Sequence, residues 1–283
     1  MTQAGCMKKT ADFESYLRNE EKSAATTEKY MRDVHRFIAF LSELPKGTPV
    51  GKEHTVKYKK HLCDQGYEPA SINSMLVALN CFLRFCGLQK LCVKLLKIQR
   101  QLFCAKEREL SKDEYRRLVE AADGSRLSYI LRTICSTGIR VSELKYITAE
   151  AVRAGKATVS CKNKTRVIFI PIPVQKLLQE YTKKAGIKNG AVFVTKSGKP
   201  IDRSNIWRDM KALCQKAKVS EKKVFPHNLR HLFARLFYSI DKDITRLADL
   251  LGHASVNTTR IYITESGQRH LIGLEKVQKI LTT

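Results

Sequence analysis

No stretch of this 283-residue chain comes near the roughly 18–20 consecutive apolar residues that a membrane-spanning helix needs, and its amino terminus lacks the continuous apolar segment of a signal peptide. Its nine cysteines, at positions 6, 63, 81, 86, 92, 104, 135, 161 and 214, never form a Cys-x-x-Cys pair. Zinc-ligand spacing is therefore missing, and an odd, scattered set in apolar helical patterns reads as reduced, mostly buried thiols of a cytoplasmic protein. Also absent are a Gly-x-x-x-x-Gly-Lys loop, which would cradle nucleotide phosphates, and an acidic cluster that would hold a metal ion. The expectation is a protein with no cofactor and no metal. Tryptophan occurs once, at Trp207, and is expected in a core or an interface.

Acidic residues are the other shortage. There are 27 Asp and Glu against 52 Lys and Arg, a net charge of +25. Residues 1–103 carry 17 basic and 10 acidic residues, a net of +7, and the remainder 35 and 17, a net of +18. Such a balance favours a polyanionic partner, because phosphate contacts release counterions. Charge alone does not separate DNA from RNA or from an anionic membrane. With 43% hydrophobic residues, the chain can bury a real core in one large or two moderate domains.

Taken in order, the apolar pattern is mainly helical. Residues 1–9 read as a loose leader. Helices follow from Thr10 to Glu21, from Ser23 to Leu44, from Glu53 to Gln65 and from Pro69 to Gly87, each closed by proline, glycine or polar residues. Four helices with tight connections make a small bundle, and their apolar stripes are its core. A basic linker with some helical character spans 88–109. Ser111 and Glu114 form a capping box for a helix to Ala122, and the apolar helix from Ser125 is broken at Thr137-Gly138, just before Arg140. Val141 to Tyr146 restarts a helix. Ala157–Ser160 and Val167–Ile170 read as the strands of a hairpin with Lys162 and Lys164 at its tip. Further helices are expected over Gln175–Ala185 and Ile206–Ala217, a short strand over Val192–Val194, and an amphipathic tail helix over Ser266–Leu281.

The densest chemistry lies between Phe225 and Tyr262. His227 and Arg230 are three apart and share a helix face. His253 follows Gly252, a residue suited to a helix end, and Tyr262 comes nine positions later. Arg grips two phosphate oxygens at once, His shuttles protons near neutrality, and Tyr can be a nucleophile, so the set suits a phosphodiester.

His-Asn-Leu-Arg-His at 227–231, Leu-Gly-His at 251–253 and the downstream Tyr262 resemble the carboxy-terminal signature of the tyrosine recombinases. This phage-integrase family includes the Xer proteins and many transposon integrases. Its upstream Arg matches Arg140 within Thr137-Gly138-Ile139-Arg140-Val141-Ser142-Glu143-Leu144, and its hairpin Lys matches Lys162. The resemblance covers nearly the whole chain, with the blocks in the same order. It implies a fold that is mainly α with a small β-sheet. Residues 1–103 would be a SAM-like four-helix core-binding domain that clamps DNA, with a linker from about 88, and residues 104–283 a mixed, mainly α catalytic domain with a tail helix.

The resemblance also implies the roles. Tyr262 is the nucleophile, Arg140, Arg230, His227 and His253 surround the phosphate, and Lys162 is the general acid. The residues alone leave Lys162 and Lys164 open; the family pattern selects Lys162. Glu143 and His231 are expected to support these groups. Lys57, Lys59, Lys60, Arg84, Lys164 and Arg166 are the expected DNA contacts. The implied activity is cleavage and rejoining of double-stranded DNA through a 3′-phosphotyrosine, by a homotetramer on two sites whose tail helix docks in trans. A non-catalytic DNA-binding regulator of the same fold, and a type IB topoisomerase, stand as alternatives.

Overall fold

The computed structural model describes residues 1–45, 47–98, 108–161, 164–195 and 197–263, with 275, 277–278 and 280–281 near the carboxy end; the side chains of residues 161, 164 and 263 are outside it. Two compact units divide the chain, Met1–Arg100 and Gln101–Thr283. None of the described helices is long and apolar enough to cross a membrane.

The first unit is built from α1 (Gln3–Lys8), α2 (Thr10–Asn19), α3 (Ala24–Leu41), α4 (Lys52–Asp64) and α5 (Pro69–Phe85). Its core joins Phe13 and Leu17 of α2, Phe37 and Leu41 of α3, Leu62 of α4, and Leu79 and Phe82 of α5. The expected loose leader is instead a helix. Thr2 Oγ1 caps it by accepting from Gly5 N, Cys6 is fully buried, and Val50 N donates to Met1 O at 2.8 Å. Six residues are too few to show a period, so only the packing reveals it.

Beyond α5 the chain makes a 3₁₀ turn at Gln89–Leu91 and then runs extended. Asn80 and Asn73, two helical turns apart on one face of α5, each use the side-chain amide as a strand would use its backbone. Asn80 donates to Val93 O at 2.9 Å and accepts from Val93 N at 2.9 Å; Asn73 donates to Leu96 O at 2.9 Å and accepts from Leu96 N at 2.7 Å. Thr55 of α4 donates to Leu91 O, and Lys59 to Lys94 O at 2.8 Å. These bonds replace the helical character expected for the start of the linker.

The second unit contains α6 (Lys112–Ala121), α7 (Arg126–Thr137), a 3₁₀ turn (Val141–Tyr146), α8 (Ala149–Ala154), β1 (Lys156–Cys161), β2 (Lys164–Phe169), α9 (Ile172–Lys184), α10 (Arg203–Ala217), α11 (Pro226–Asp241), α12 (Ile244–Leu251) and α13 (Val256–Ile263). Ile130, Leu131 and Ile134 of α7 pack with Leu229 and Leu232 of α11, Met210 of α10 and Leu178 of α9 in one core. β1 and β2 pair antiparallel from Lys156↔Phe169 to Cys161↔Lys164, so Lys164 belongs to a strand rather than to the hairpin tip. Ala157, Val159, Ile168 and Ile170 alternate inward. Where a third strand was expected, isolated bridges form instead: Thr148 pairs with Ala191 and Val194 with Pro200. Trp207 is not core. It is half exposed, with Lys211 Nζ 5.4 Å from its ring centre.

Helix α11 also fastens the start of its own unit. Asn228 Nδ2 donates to Arg108 O at 2.7 Å, and Arg235 pairs with Glu109 and donates to Leu110 O at 2.6 Å. The architecture is the expected one, mainly helical with a two-stranded sheet among the described residues.

Candidate active site

Three helix boundaries bring the site together. Helix α7 ends at Gly138, which takes the left-handed conformation at φ +63°. A Cβ there would lie 2.4 Å from Phe233 Cδ1, so glycine answers both to the backbone angle and to the close approach of α11. Arg140 follows in extended conformation and opens the 3₁₀ turn, where Glu143 Oε2 accepts from Arg140 N at 2.8 Å and Glu143 Oε1 from Arg140 Nη1 at 2.9 Å. Helix α11 starts with Pro226 in its first turn, where a missing N–H costs nothing. His227, Arg230 and His231 then project at i, i+3 and i+4. Helix α12 ends at Gly252, φ +64°, with Gly252 N and His253 N donating back to Asp249 O and Ala248 O. That turn aims His253 at Arg230.

Arg230 is the anchor of the pocket and is only 1% exposed. Its Nη1 donates to Gly138 O at 2.6 Å, and its Nη2 to Leu251 O at 2.6 Å and to His253 Nε2 at 2.9 Å. A guanidinium has only donors, so His253 Nε2 accepts, and Nδ1–H donates to Thr259 Oγ1 at 2.8 Å. Arg230 Nε is buried and has no partner among the described residues, a donor left unspent.

Tyr262 packs into this pocket from α13, 7% exposed, against Ala234, Leu247 and Leu251. Its Oη lies 3.4 Å from His227 Nε2. The ring stacks on His231 at 4.1 Å and stands 6.0 Å from the Arg230 guanidinium carbon. The structure thus brings together Arg140, His227, Arg230, His231, His253 and Tyr262 with Glu143. Lys162 lies outside the described residues.

The charges explain the protonation states. Burial, then Arg230 and Arg140, hold His227 below its ordinary value. Burial, then Arg230, Arg140 and Arg166, push His253 down to about 4, and burial with His227 does the same to His231. Arg230 is lowered to about 10 by burial and Arg140, yet stays charged at neutrality. Burial works to raise the Glu143 carboxyl, but the Arg140 N–H, the Arg166 charge and the guanidinium bonds outweigh it and hold it below the usual carboxylate range. The pocket is therefore positive, with neutral imidazoles, and attracts an anion. Among the described residues no cluster of His, Cys, Asp and Glu fits a metal ion.

The expected DNA contacts divide. Lys57, Lys60 and Arg84 are exposed on the first unit, whereas Lys59 is engaged with Lys94 O. Arg166 is not a surface cation. Its side chain is 15% exposed and bonds inward, to Glu143 Oε2 at 2.6 Å and Leu250 O at 2.5 Å. The strand register turns it towards the site, against the expectation for a residue near the hairpin tip. Sequence reading also passed over Thr259, which is fully buried. Its signal was available: it lies three residues before Tyr262, hence on the same face of α13.

The phage integrase family signature matches residues 108–269, and the amino-terminal SAM-like domain of phage integrases matches residues 11–90. Tyrosine recombinase XerA of Pyrococcus furiosus is 30% identical over 92% of this chain and 90% of its own length. Among solved structures, a lambda integrase dimer bound to a core site superposes with a TM-score of 0.73 at 18% identity, covering 93% of this chain and 95% of that one. A lambda integrase tetramer bound to a Holliday junction gives 0.72 at 18% identity, covering 93% and 77%. These two likenesses establish the fold, and with the XerA relationship and the matched signature they show that the chain belongs to the phage integrase family, the tyrosine recombinases.

Proposed function

We propose that this protein is a site-specific DNA recombinase that cuts and rejoins strands through a 3′-phosphotyrosine on Tyr262. The observation that carries the reading is the position of Tyr262, its hydroxyl 3.4 Å from His227 Nε2 and its ring 6.0 Å from the buried Arg230 guanidinium carbon. His227 Nε2 accepts the phenolic proton as Tyr262 Oη attacks phosphorus. Negative charge then grows on the non-bridging oxygens, and Arg140 and Arg230 stabilise it with forks that match phosphate geometry. The 3′-phosphotyrosine forms as the bond to the 5′-oxygen breaks, and that oxygen takes a proton from Lys162. A 5′-hydroxyl of a second strand reverses the step. The phosphoester is exchanged and not hydrolysed, so the chemistry draws on no nucleotide.

The substrate is double-stranded DNA, in keeping with the charge of +25 and the exposed Lys57, Lys60 and Arg84 of a core-binding domain at 1–103. The working form is a homotetramer on two sites, as the lambda integrase tetramer on a Holliday junction suggests. The tail helix expected at 266–281 would join neighbouring protomers; its described positions, 275, 277–278 and 280–281, are helical, and Val277, Ile280 and Leu281 are exposed. The place of action is the cytoplasm, where the thiols stay reduced.

The test uses supercoiled plasmids carrying two copies of a site that the protein selects from random DNA. A recombinase yields rearranged circles. Relaxed circles without rearrangement would favour a type IB topoisomerase, and binding without any strand break a regulator.

A further inference from the structure

We propose that Arg166 is a positioning residue for this reaction: through Glu143 it holds Arg140, and through the end of α12 it holds the turn that presents His253. The inference rests on the reading of Arg140 and His253 as groups around the scissile phosphate.

Arg166 joins the two segments that carry those groups. Its Nη2 donates to Glu143 Oε2 at 2.6 Å, and its Nη1 to Leu250 O at 2.5 Å. Glu143 is 4% exposed as a side chain, and both of its oxygens also bond Arg140. Arg140 is 42% exposed as a side chain, and its further hydrogen bond, Nη2 to Gly252 O, is long at 3.4 Å. The direction of the Arg140 fork therefore depends on Glu143, and Arg166 is the second cation fixing that carboxylate. A buried carboxylate bridging two guanidiniums keeps one rotamer; with one guanidinium gone it has room to turn.

The other arm acts on α12. The last carbonyls of a helix lack intrahelical partners and carry the negative end of its dipole. Here two successive carbonyls of α12 are each met by an arginine, Leu250 O by Arg166 and Leu251 O by Arg230. The stem of Arg166 passes directly under the turn that follows: a Cβ on Gly252 would lie 2.3 Å from Arg166 Cδ. Gly252 thus serves both the left-handed turn and the passage of Arg166, and the next residue is His253. One side chain from β2 consequently sets the spacing between Arg140 and His253.

The test measures single-turnover covalent complex formation on a suicide duplex at saturating protein, with the dissociation constant measured separately, for wild type, Arg166→Leu, Glu143→Gln and the double variant. Arg166→Leu is expected to lower the cleavage rate on the order of 100-fold while the dissociation constant changes by less than about threefold, unlike the loss on removing a phosphate contact. Because Arg166 and Glu143 share the contact that fixes the Arg140 fork, the double variant is expected to lose clearly less than the product of the two single losses. Should Arg166→Leu fail to fold, Arg166→Lys decides: a point charge reaches one of the two acceptors, so an intermediate rate is expected. A cleavage rate at wild-type level in the folded variant, a loss confined to the dissociation constant, or fully multiplicative losses in the double variant would each overturn the positioning role. Absence of any covalent complex with the wild type would instead overturn the recombinase reading itself.

Discussion

The Tyr262 hydroxyl faces His227 Nε2 across 3.4 Å, with the two rings tilted at 64° and 5.4 Å apart. An imidazole held below its ordinary value by burial and two arginines is unprotonated at neutrality and able to accept. His227→Ala is therefore expected to slow cleavage by about 100- to 1,000-fold with DNA affinity kept. In the wild type, the rate of covalent complex formation should stay level as pH falls from 8 towards 6.5 and decline only below it. Single-turnover rates across pH check both statements.

Gly138 is expected to be intolerant of change. Alanine there meets both the φ of +63° and the ring of Phe233, and it displaces the carbonyl that holds Arg230 Nη1. A left-handed non-glycine residue costs about 1–3 kcal/mol before the clash is added. Gly138→Ala should lower the melting temperature and also the cleavage rate, where a purely structural defect far from Arg230 would lower the first alone.

Stability should fall with acid in a defined window. His231 and His253 are held at about 4 in the folded protein against an ordinary 6.5. Between those values the unfolded chain binds protons that the folded chain does not, so stability is lost as pH drops from about 6.5 to 4. Glu143, depressed below its ordinary 4.5, contributes stability above that value and loses it as pH falls further, through its folded pKa. Thermal melts from pH 8 to 4 should show a plateau and then a decline. Phe at 231 keeps the stack on Tyr262 and removes one of the two groups, so His231→Phe should make the decline shallower.

The general acid is assigned by chemistry. With a 5′-bridging phosphorothiolate the leaving group needs no proton. Lys162→Ala should lose most of its activity on ordinary DNA and regain it on this substrate, whereas Lys164→Ala should show no such selective rescue. The reverse pattern would move the role to Lys164.

Much of this was legible in the chain. The helix-breaking Gly138 and Gly252, Pro226 at the start of α11, and the i, i+3, i+4 spacing of His227, Arg230 and His231 announce where the site residues sit, because local backbone rules decide them. What escaped depends on tertiary contacts. Nothing local in Lys164-Thr165-Arg166 says that Arg166 turns inward to Glu143, 23 residues away. The asparagine pairing of residues 93 and 96 with α5 is invisible without the bundle that supports it. Helix α1 was missed because a single buried thiol carries no period.

Covalent bonding of Tyr262 to DNA is what the reaction requires. It is tested most directly by trapping the protein on a suicide duplex, digesting the complex and identifying the DNA-bearing peptide by mass spectrometry. A 3′-phosphate linked to Tyr262 is expected in the wild type and, with Tyr262→Phe, bound DNA that denaturant releases intact. A denaturant-stable adduct in that variant, or a wild-type linkage at any other residue, would contradict it.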